Sequence, residues 1–334
     1  MTNARVRWRP HAYEIILVGN LLLIHALMMR NTNAVLAMLP FTLSTALPSM
    51  AIQAVLAILI RLGVAYYQGK GRDYLREIRK PAWILETTRL LIGATLLVHV
   101  YGWIKVAVPL MHPRLFDQQL WDIDRSIFFG ISPNIFFLNL FSGHAALRVV
   151  DFTYAYIFVA GFSIAVAYFS STPSKRLQVA FITGHAVMWL AGAWLYVLIP
   201  ALGPAYRFPD VWLQYSHDLH LTQNLQALLW RNYSHVLQIP HGGTAPVNII
   251  LGIAAFPSMH VAFQMFIFLW FRRIWTWGEV LFAIFVLFIF LGAMITGWHY
   301  LIDLFAGLLL AWLTWFITSR RYRILRFTHL SRLL

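Results

Sequence analysis

No cysteine occurs at any of the 334 positions. That excludes disulfides, haem-thiolate ligation and thiol catalysis, and it leaves the redox compartment unread. Charge is scarce as well: Asp, Glu, Lys and Arg make up 11% of the chain, and only 12 residues are acidic against 26 Lys and Arg. Soluble domains carry about 25% charged and 45–50% apolar residues. With 60% hydrophobic residues, this chain is a polytopic membrane protein. Internal repeats and low-complexity tracts are missing, so the chain is not an array of repeated units. A formal net charge of +14 would suggest a nucleic-acid binder in a soluble chain. Here the excess sits in connecting loops, and no nucleic-acid partner is expected.

Apolar runs mark spans at Tyr13–Met29, Leu47–Tyr67, Leu90–Leu110, Phe152–Phe169, Leu177–Pro200, Met259–Phe271, Val280–Ile295 and Trp298–Thr318. The expected fold is all-α, with about eight transmembrane helices. Several runs fall short of the ~20 residues that cross a hydrocarbon core, so their ends must tilt or borrow flanking residues. The first run follows Arg5, Arg7 and Arg9 in the manner of a signal peptide, but no convincing small-residue cleavage site follows, and it is kept as a span. Ala34–Leu47, broken by Pro40 and Pro48, reads as interfacial or as the start of the second span.

Cations set the orientation. With both termini cytoplasmic, the inner segments hold Arg5, Arg7, Arg9, Lys70, Arg72, Arg76, Arg79, Lys80, Lys175, Arg176, Arg272, Arg273, Arg320, Arg321, Arg323, Arg326 and Arg332. The outer segments hold only Arg30, Arg114, Arg125, Arg148, Arg207 and Arg231. This positive-inside bias puts His260 and His299 at the extracytoplasmic face.

Two connecting segments carry further pattern. Phe116, Leu120, Ile123 and Ile127 recur at helical spacing, with Asp117, Gln118, Asp124 and Arg125 on other faces, so an amphipathic helix is expected on the outer surface, closed by Gly130 and Pro133. The outer loop Ala201–Ile250 carries Trp212, Tyr215, Trp230, Tyr233, His235 and His241-Gly242-Gly243, and its length and aromatic content suit a cap. Its His217-Asp218-Leu219-His220 run has no third ligand at a recognisable metal spacing, and surface histidines in a polar loop explain it. Ser142-Gly143-His144 lacks a preceding proline and any supporting His-x-x-x-Asp downstream at the right distance.

Chemistry concentrates in two places. Ser258 follows Pro257 and precedes an apolar helix, so it reads as an N-cap whose neighbouring amides and dipole favour an anion. His260 falls in that helix's first turn. His299 and Asp303 are four apart, which on a helix places them on one face, the arrangement in which a carboxylate orients an imidazole. Taken singly, each pair also fits a bland role, a capped helix start or a structural His–Asp contact. Their shared membrane face, order and spacing favour chemistry, because ionisable groups at membrane depth mark function.

Pro257-Ser258-Met259-His260 and His299-Tyr300-Leu301-Ile302-Asp303 resemble two motifs of the type 2 phosphatidic acid phosphatase superfamily, Pro-Ser-Gly-His and His-x-x-x-Asp, here 39 residues apart from histidine to histidine. The resemblance covers roughly Leu90 to Thr318. It implies three units: accessory spans and a basic cytoplasmic loop (1–82), a six-helix catalytic core (83–318) and a basic tail (319–334). It also implies that His299 attacks phosphorus to give a phosphohistidine, that Asp303 orients it and that His260 is the general acid and base. Ser258, Arg207 and Tyr206 would bind the phosphate, and neither metal nor cofactor is required.

Two departures narrow the resemblance. The third motif usually opens with Ser-Arg, where this chain has Gly292-Ala293, and the first motif, a lysine followed after six residues by Arg-Pro, is absent. Gly203-Pro204-Ala205-Tyr206-Arg207-Phe208-Pro209 stands in its place. The result is similar to the inositol phosphorylceramide synthase branch, as are the Asp124-Arg125 and Gly130 positions. A site poor in cations also suits a phosphodiester, with one negative charge, better than a monoester with nearly two. The expected function is therefore transfer of a phosphoryl or phospho-headgroup from a phospholipid donor to a lipid or polyol acceptor, within membrane lipids. A lipid phosphate phosphatase or pyrophosphatase of the same superfamily is the alternative. A lipid or proton transporter is the reading from another class, and it would call for paired broken helices or two-fold internal symmetry, which the chain does not show.

Overall fold

A computed structural model describes residues 9–28, 32–172, 174–238, 251–272 and 276–324. Arg5, Arg7, Arg30, Arg273, Arg326, Arg332 and His241-Gly242-Gly243 lie outside the described residues. Among the described residues every regular element is helical. The order is α1 (Ala12–Leu27), α2 (Thr32–Tyr67), α3 (Gly71–Glu77), α4 (Pro81–Met111), α5 (Asp117–Ile127), α6 (Pro133–Leu140), α7 (His144–Phe152), a π-turn (Thr153–Ile157), α8 (Phe158–Ser170), α9 (Lys175–Leu198), α10 (Pro204–Arg207), α11 (Pro209–Leu213), α12 (His220–Gln238), α13 (Met259–Phe271), α14 (Thr276–Ile295) and α15 (Leu301–Arg321).

Each expected span coincides with a helix. Five are long and apolar enough to cross a membrane: Leu47–Tyr67, Pro81–Met111, His144–Ser170, Lys175–Leu198 and Leu301–Arg321. Ala12–Leu27, Met259–Phe271 and Glu279–Ile295 are apolar but shorter. One of two open alternatives is found, and two boundaries differ from the sequence reading. Ala34–Leu47 belongs to the start of α2, which continues through Pro48. The fourth span begins at His144, because the π-turn joins α7 to α8 without a break. The last helix begins at Leu301 rather than Trp298, because Gly297, at positive φ, turns the chain out of α14 and Tyr300 caps the next helix.

Local chemistry sets the helix starts. Ser132, Ser174 and Ser258 each accept from the backbone N–H three residues on, at 3.4 Å, and Pro81, Pro133, Pro204 and Pro209 occupy first-turn positions where a missing N–H costs nothing. The core is α13 packed between α14, α15 and α9, with Phe263, Phe266 and Trp270 of α13 fully buried. Helix α15 crosses α13 closely at Gly307, where a β-carbon would sit 2.4 Å from the Ser258 carbonyl oxygen. The first two helices attach through α4: α1 packs on α4 and α9, and α2 on α4 and α8. Arg89 of α4 pairs with Glu14 of α1 at 2.6 Å, and Arg61 of α2 donates to the Tyr168 carbonyl at 3.0 Å.

The helix expected over 116–127 is present, but its buried face is not the expected one. Asp117, Leu120, Trp121 and Asp124 are buried, while Ile123 and Ile127 are exposed. The carboxylates turn inward because they meet backbone donors, and the isoleucines turn outward with Phe129 and Ile131.

Candidate active site

His299 lies in the tight connection between α14 and α15. Helix α14 ends with Gly297 at φ +73, the Gly297 N–H bonded to the Met294 carbonyl at 3.0 Å and the Trp298 N–H to the Ala293 carbonyl at 3.1 Å. This is the glycine-closed helix end in which the left-handed residue turns the chain away. His299 therefore precedes α15 instead of riding on it, and Tyr300 is the N-cap. Asp303, at the third helical position, accepts from the Tyr300 N–H at 2.8 Å. The i,i+4 face expected for His299 and Asp303 is thus replaced by a turn-and-cap geometry.

Five side chains from other elements hold this connection. Asn134 of α6 donates to the carbonyls of Met294 and His299, at 3.1 and 2.9 Å. Trp212 donates to the Ile295 carbonyl at 2.9 Å, and Gln226 of α12 to the Thr296 carbonyl at 3.0 Å. Asp124 caps α15 by accepting from the N–H groups of Leu301 and Ile302, at 2.5 and 2.9 Å. Asp117 accepts from the N–H groups of Leu202 and Gly203 and from the Tyr300 hydroxyl, the last two at 2.8 Å. Burial pushes the Asp117 carboxyl up and raises Asp124 to about 7, with the amide bonds opposing both shifts.

The histidine is fixed at one nitrogen. His299 Nδ1 lies 2.8 Å from the Ala255 carbonyl oxygen. A carbonyl only accepts, so Nδ1 carries the proton and Nε2 keeps the lone pair. Asp303 Oδ2 is 3.5 Å from the same Nδ1, a longer contact than the carbonyl, and Asp303 Oδ1 has no partner among the described residues. The imidazole is thus held by the backbone first and by the carboxylate second.

His260, in the first turn of α13, faces it with ring centroids 5.8 Å apart. Its ring is also tilted against Tyr154 and Phe158, at 4.9 and 4.8 Å. Both histidines line a cavity of about 260 Å³, closed by Phe158 and Val159 of α8 and by Leu221, Leu225 and Leu229 of α12. The cap expected from the outer loop is represented among the described residues by α12. The Ser258 N–H also donates to the Asp303 carbonyl at 2.9 Å, which ties the two histidine-bearing segments together.

The other candidate residues lie elsewhere. Ser258 is fully buried, and its hydroxyl caps Val261. Arg207 is exposed, stacks on Phe208 and reaches Gln118 at 3.4 Å, outside the cavity lining. Tyr206 stacks on Trp230 and donates to the Gln226 carbonyl at 3.2 Å, and burial raises its pKa. Gly292 packs against the Tyr154 ring, and Ala293 is fully buried. The Ser142-Gly143-His144 and His217–His220 runs meet each other: His144 Nδ1 lies 2.5 Å from Asp218, Arg148 pairs with Asp218 at 3.1 Å, and His220 lies 3.7 Å from Asp151. The hydrogen bond from His144 holds the Asp218 carboxyl below its usual range. Their geometry docks the loop on α7.

Two cavity residues escape the sequence motifs, Lys105 of α4 and Tyr154 of the π-turn. Lys105 belongs to no recognisable pattern. Its one signal is an ammonium inside an apolar span, the same argument that singles out the histidines.

Residues 118–317 match the family model described as PAP2 superfamily. The match begins within α5, so α4 and everything before it lies outside. No curated protein and no solved structure matches.

Proposed function

This chain belongs to the PAP2 superfamily, whose activities are of the lipid phosphatase and phosphotransferase type, and from that premise we propose that it is an integral-membrane phosphotransferase working through a phosphohistidine. It takes a phosphoryl or phospho-headgroup from a phospholipid and passes it to a lipid or polyol alcohol, as in the inositol phosphorylceramide synthase branch. The observation that carries this reading is the shared cavity, with His299 presenting an unprotonated Nε2 beside His260.

In the first step Nε2 of His299 attacks phosphorus, the P–N bond forms as the P–O bond to the diacylglycerol oxygen breaks, and His260 gives its proton to that oxygen. Nδ1 keeps its proton on the Ala255 carbonyl, and Asp303 at 3.5 Å balances the charge on the phosphorylated ring. In the second step neutral His260 takes the proton of an acceptor hydroxyl, whose oxygen bonds to phosphorus and displaces Nε2. The leucine and aromatic walls of the cavity favour a lipid as donor and suit a lipid alcohol as acceptor.

Residues 83–318 form the catalytic core of this reading, 1–82 its accessory unit and 319–334 a basic tail. The cation bias supports cytoplasmic termini and an extracytoplasmic or lumenal site, in the cell membrane if the source is bacterial. The test uses purified protein and a phospholipid labelled at phosphorus, with and without a lipid alcohol. Label in a new lipid only when the alcohol is present is the expected result. Label released to water regardless of the alcohol makes the protein a hydrolase, and a His299→Ala variant that still turns over ends the proposal.

A further inference from the structure

A phosphate entering this cavity brings at least one negative charge against an apolar wall. Among the described residues that line it, Lys105 is the one Lys or Arg, and no Asp or Glu joins it. The ammonium lies 5.5 Å from the ring centroid of Tyr196 and 6.0 Å from that of Tyr101, whose hydroxyls are 3.2 Å apart. No ion pair joins it to a described carboxylate. Aromatic faces satisfy part of a cation's needs, but an ammonium has three donors and keeps seeking an anion when water is withdrawn. Such a group inside a span is costly and marks a ligand or a path.

Tyr154 adds a second unfilled position. It sits on the five-residue π-turn, a register shift in an α-helix that recurs at functional sites. Its ring leans on His260, and its hydroxyl is buried without a partner among the described residues. Lys105 and Tyr154 therefore come from different helices and line one cavity, and among the described residues neither has an anion against its donors.

We propose that Lys105 and the Tyr154 hydroxyl bind the non-bridging oxygens of the phosphate that His299 attacks, and that this single positive charge matches the site to a phosphodiester. The inference rests on the phosphotransferase reading. A diester carries one negative charge and is neutralised by one ammonium, whereas a monoester carries about −1.5 to −2 at pH 7. Helix α4 lies outside the residues matched by the family model, so the anion subsite is supplied by a part of the chain that the family pattern does not cover.

Binding without turnover separates this inference from the reading beneath it. A soluble short-chain phospholipid labelled at its diester phosphorus is titrated onto full-length His299→Ala protein and onto the same protein carrying Lys105→Met. A loss of about 10- to 100-fold in affinity, the range for removing a charged hydrogen bond, is expected. Lys105→Arg restores most of it, and Tyr154→Phe costs severalfold. Unchanged affinity in the Lys105→Met protein overturns the proposal, whatever the wild type does in the transfer assay. If wild type binds through Lys105 yet transfers nothing, the phosphotransferase reading fails and the anion subsite stands. Thermal unfolding excludes a structural role: Met in place of an unpaired buried ammonium leaves the midpoint unchanged or higher. A clear drop in midpoint accompanied by normal affinity marks Lys105 as a structural residue and ends the proposal.

Discussion

Asp117 is the residue whose loss is most informative about how the site is held. Its two oxygens take the N–H groups of Leu202 and Gly203 and the hydroxyl of Tyr300, all inside the protein. Asp117→Asn keeps the shape and removes the charge. One oxygen still accepts, but the new amide N–H faces the Leu202 N–H, so one bond is lost and the others weaken from charge-assisted to neutral. Bonds to charged groups contribute about 1.5–3 kcal/mol and neutral ones about 1, so the gross loss is ~3–4 kcal/mol. The neutral amide escapes the desolvation that raises the Asp117 pKa, which offsets part of this. For a chain of 334 residues a net destabilisation of ~2 kcal/mol corresponds to a fall of about 3 °C in the melting temperature. Activity should fall further than stability, because Tyr300 adjoins His299 and a misplacement of about 1 Å costs ~100-fold. Thermal unfolding in detergent and the labelled-phospholipid assay read the two effects. Tyr300→Phe removes one donor of the same cluster, so the double variant must be non-additive by about 0.5–3 kcal/mol. Wild-type melting and turnover in Asp117→Asn, or strict additivity with Tyr300→Phe, would refute the reasoning.

Other perturbations give sharper yes-or-no answers. Gly307→Ala drives a β-carbon to 2.4 Å from the Ser258 carbonyl oxygen, and a loss of about 1–3 kcal/mol follows from overpacking at a helix crossing; a thermal midpoint equal to wild type contradicts the close approach. Asp124, raised to about 7, holds a proton in the folded state that an unfolded carboxyl near 3.9 has released. Its contribution therefore falls as pH rises from about 4 to 7, by up to about 4 kcal/mol. The melting difference between wild type and Asp124→Asn, followed across that window, must shrink with rising pH, and a flat difference rejects the shift. Arg207 is exposed and outside the cavity lining, so Arg207→Ala should change kcat/KM less than about threefold, on the scale of a surface charge; a hundredfold loss would return it to the phosphate. Because the chain has no cysteine, single Gln214→Cys and Arg79→Cys variants report sidedness directly. An impermeant maleimide should label the first in intact cells and the second only after permeabilisation, and the reverse pattern inverts the topology.

The helices were readable in the sequence because lipid solvation leaves long apolar runs, and His260, His299 and Asp303 because charge stands out within them. What escaped was anything decided by contacts across the chain. Asp117 and Asp124 counted as a polar face, since periodicity scores side chains and cannot see that Leu202, Gly203, Leu301 and Ile302 bring N–H groups to meet them. The displacement of His299 from α15 depends on one glycine, Gly297, whose positive φ is invisible in a run of span-like residues. Arg207 reads in sequence as a loop cation near the motifs, although its helix points it at Gln118. Lys105 stands out in sequence only as an ammonium within a span, because its partners, Tyr101 of α4 and Tyr196 of α9, converge only when those helices pack.

This distribution also gives the first two helices a physical task. The family match starts at residue 118, yet the cavity takes Tyr101 and Lys105 from α4, which needs support on the side away from the core. Helices α1 and α2 provide it: Leu17 and Ile24 of α1 pack in one buried cluster with Val100, Trp103 and Ile104 of α4. Trp194 of α9 donates to Asn20 at 2.7 Å, and the Glu14–Arg89 pair is bidentate, at 2.6 and 2.9 Å. Glu14→Gln should then loosen α4 without touching the cavity's chemistry. Breaking a partly buried bidentate pair costs about 1–3 kcal/mol. Affinity for the labelled phospholipid should weaken while turnover at saturation holds, because the ammonium is displaced but the histidines are not. A Glu14→Gln protein that loses turnover and keeps affinity would mean that α1 supports the histidine segments instead, through its second contact with α9.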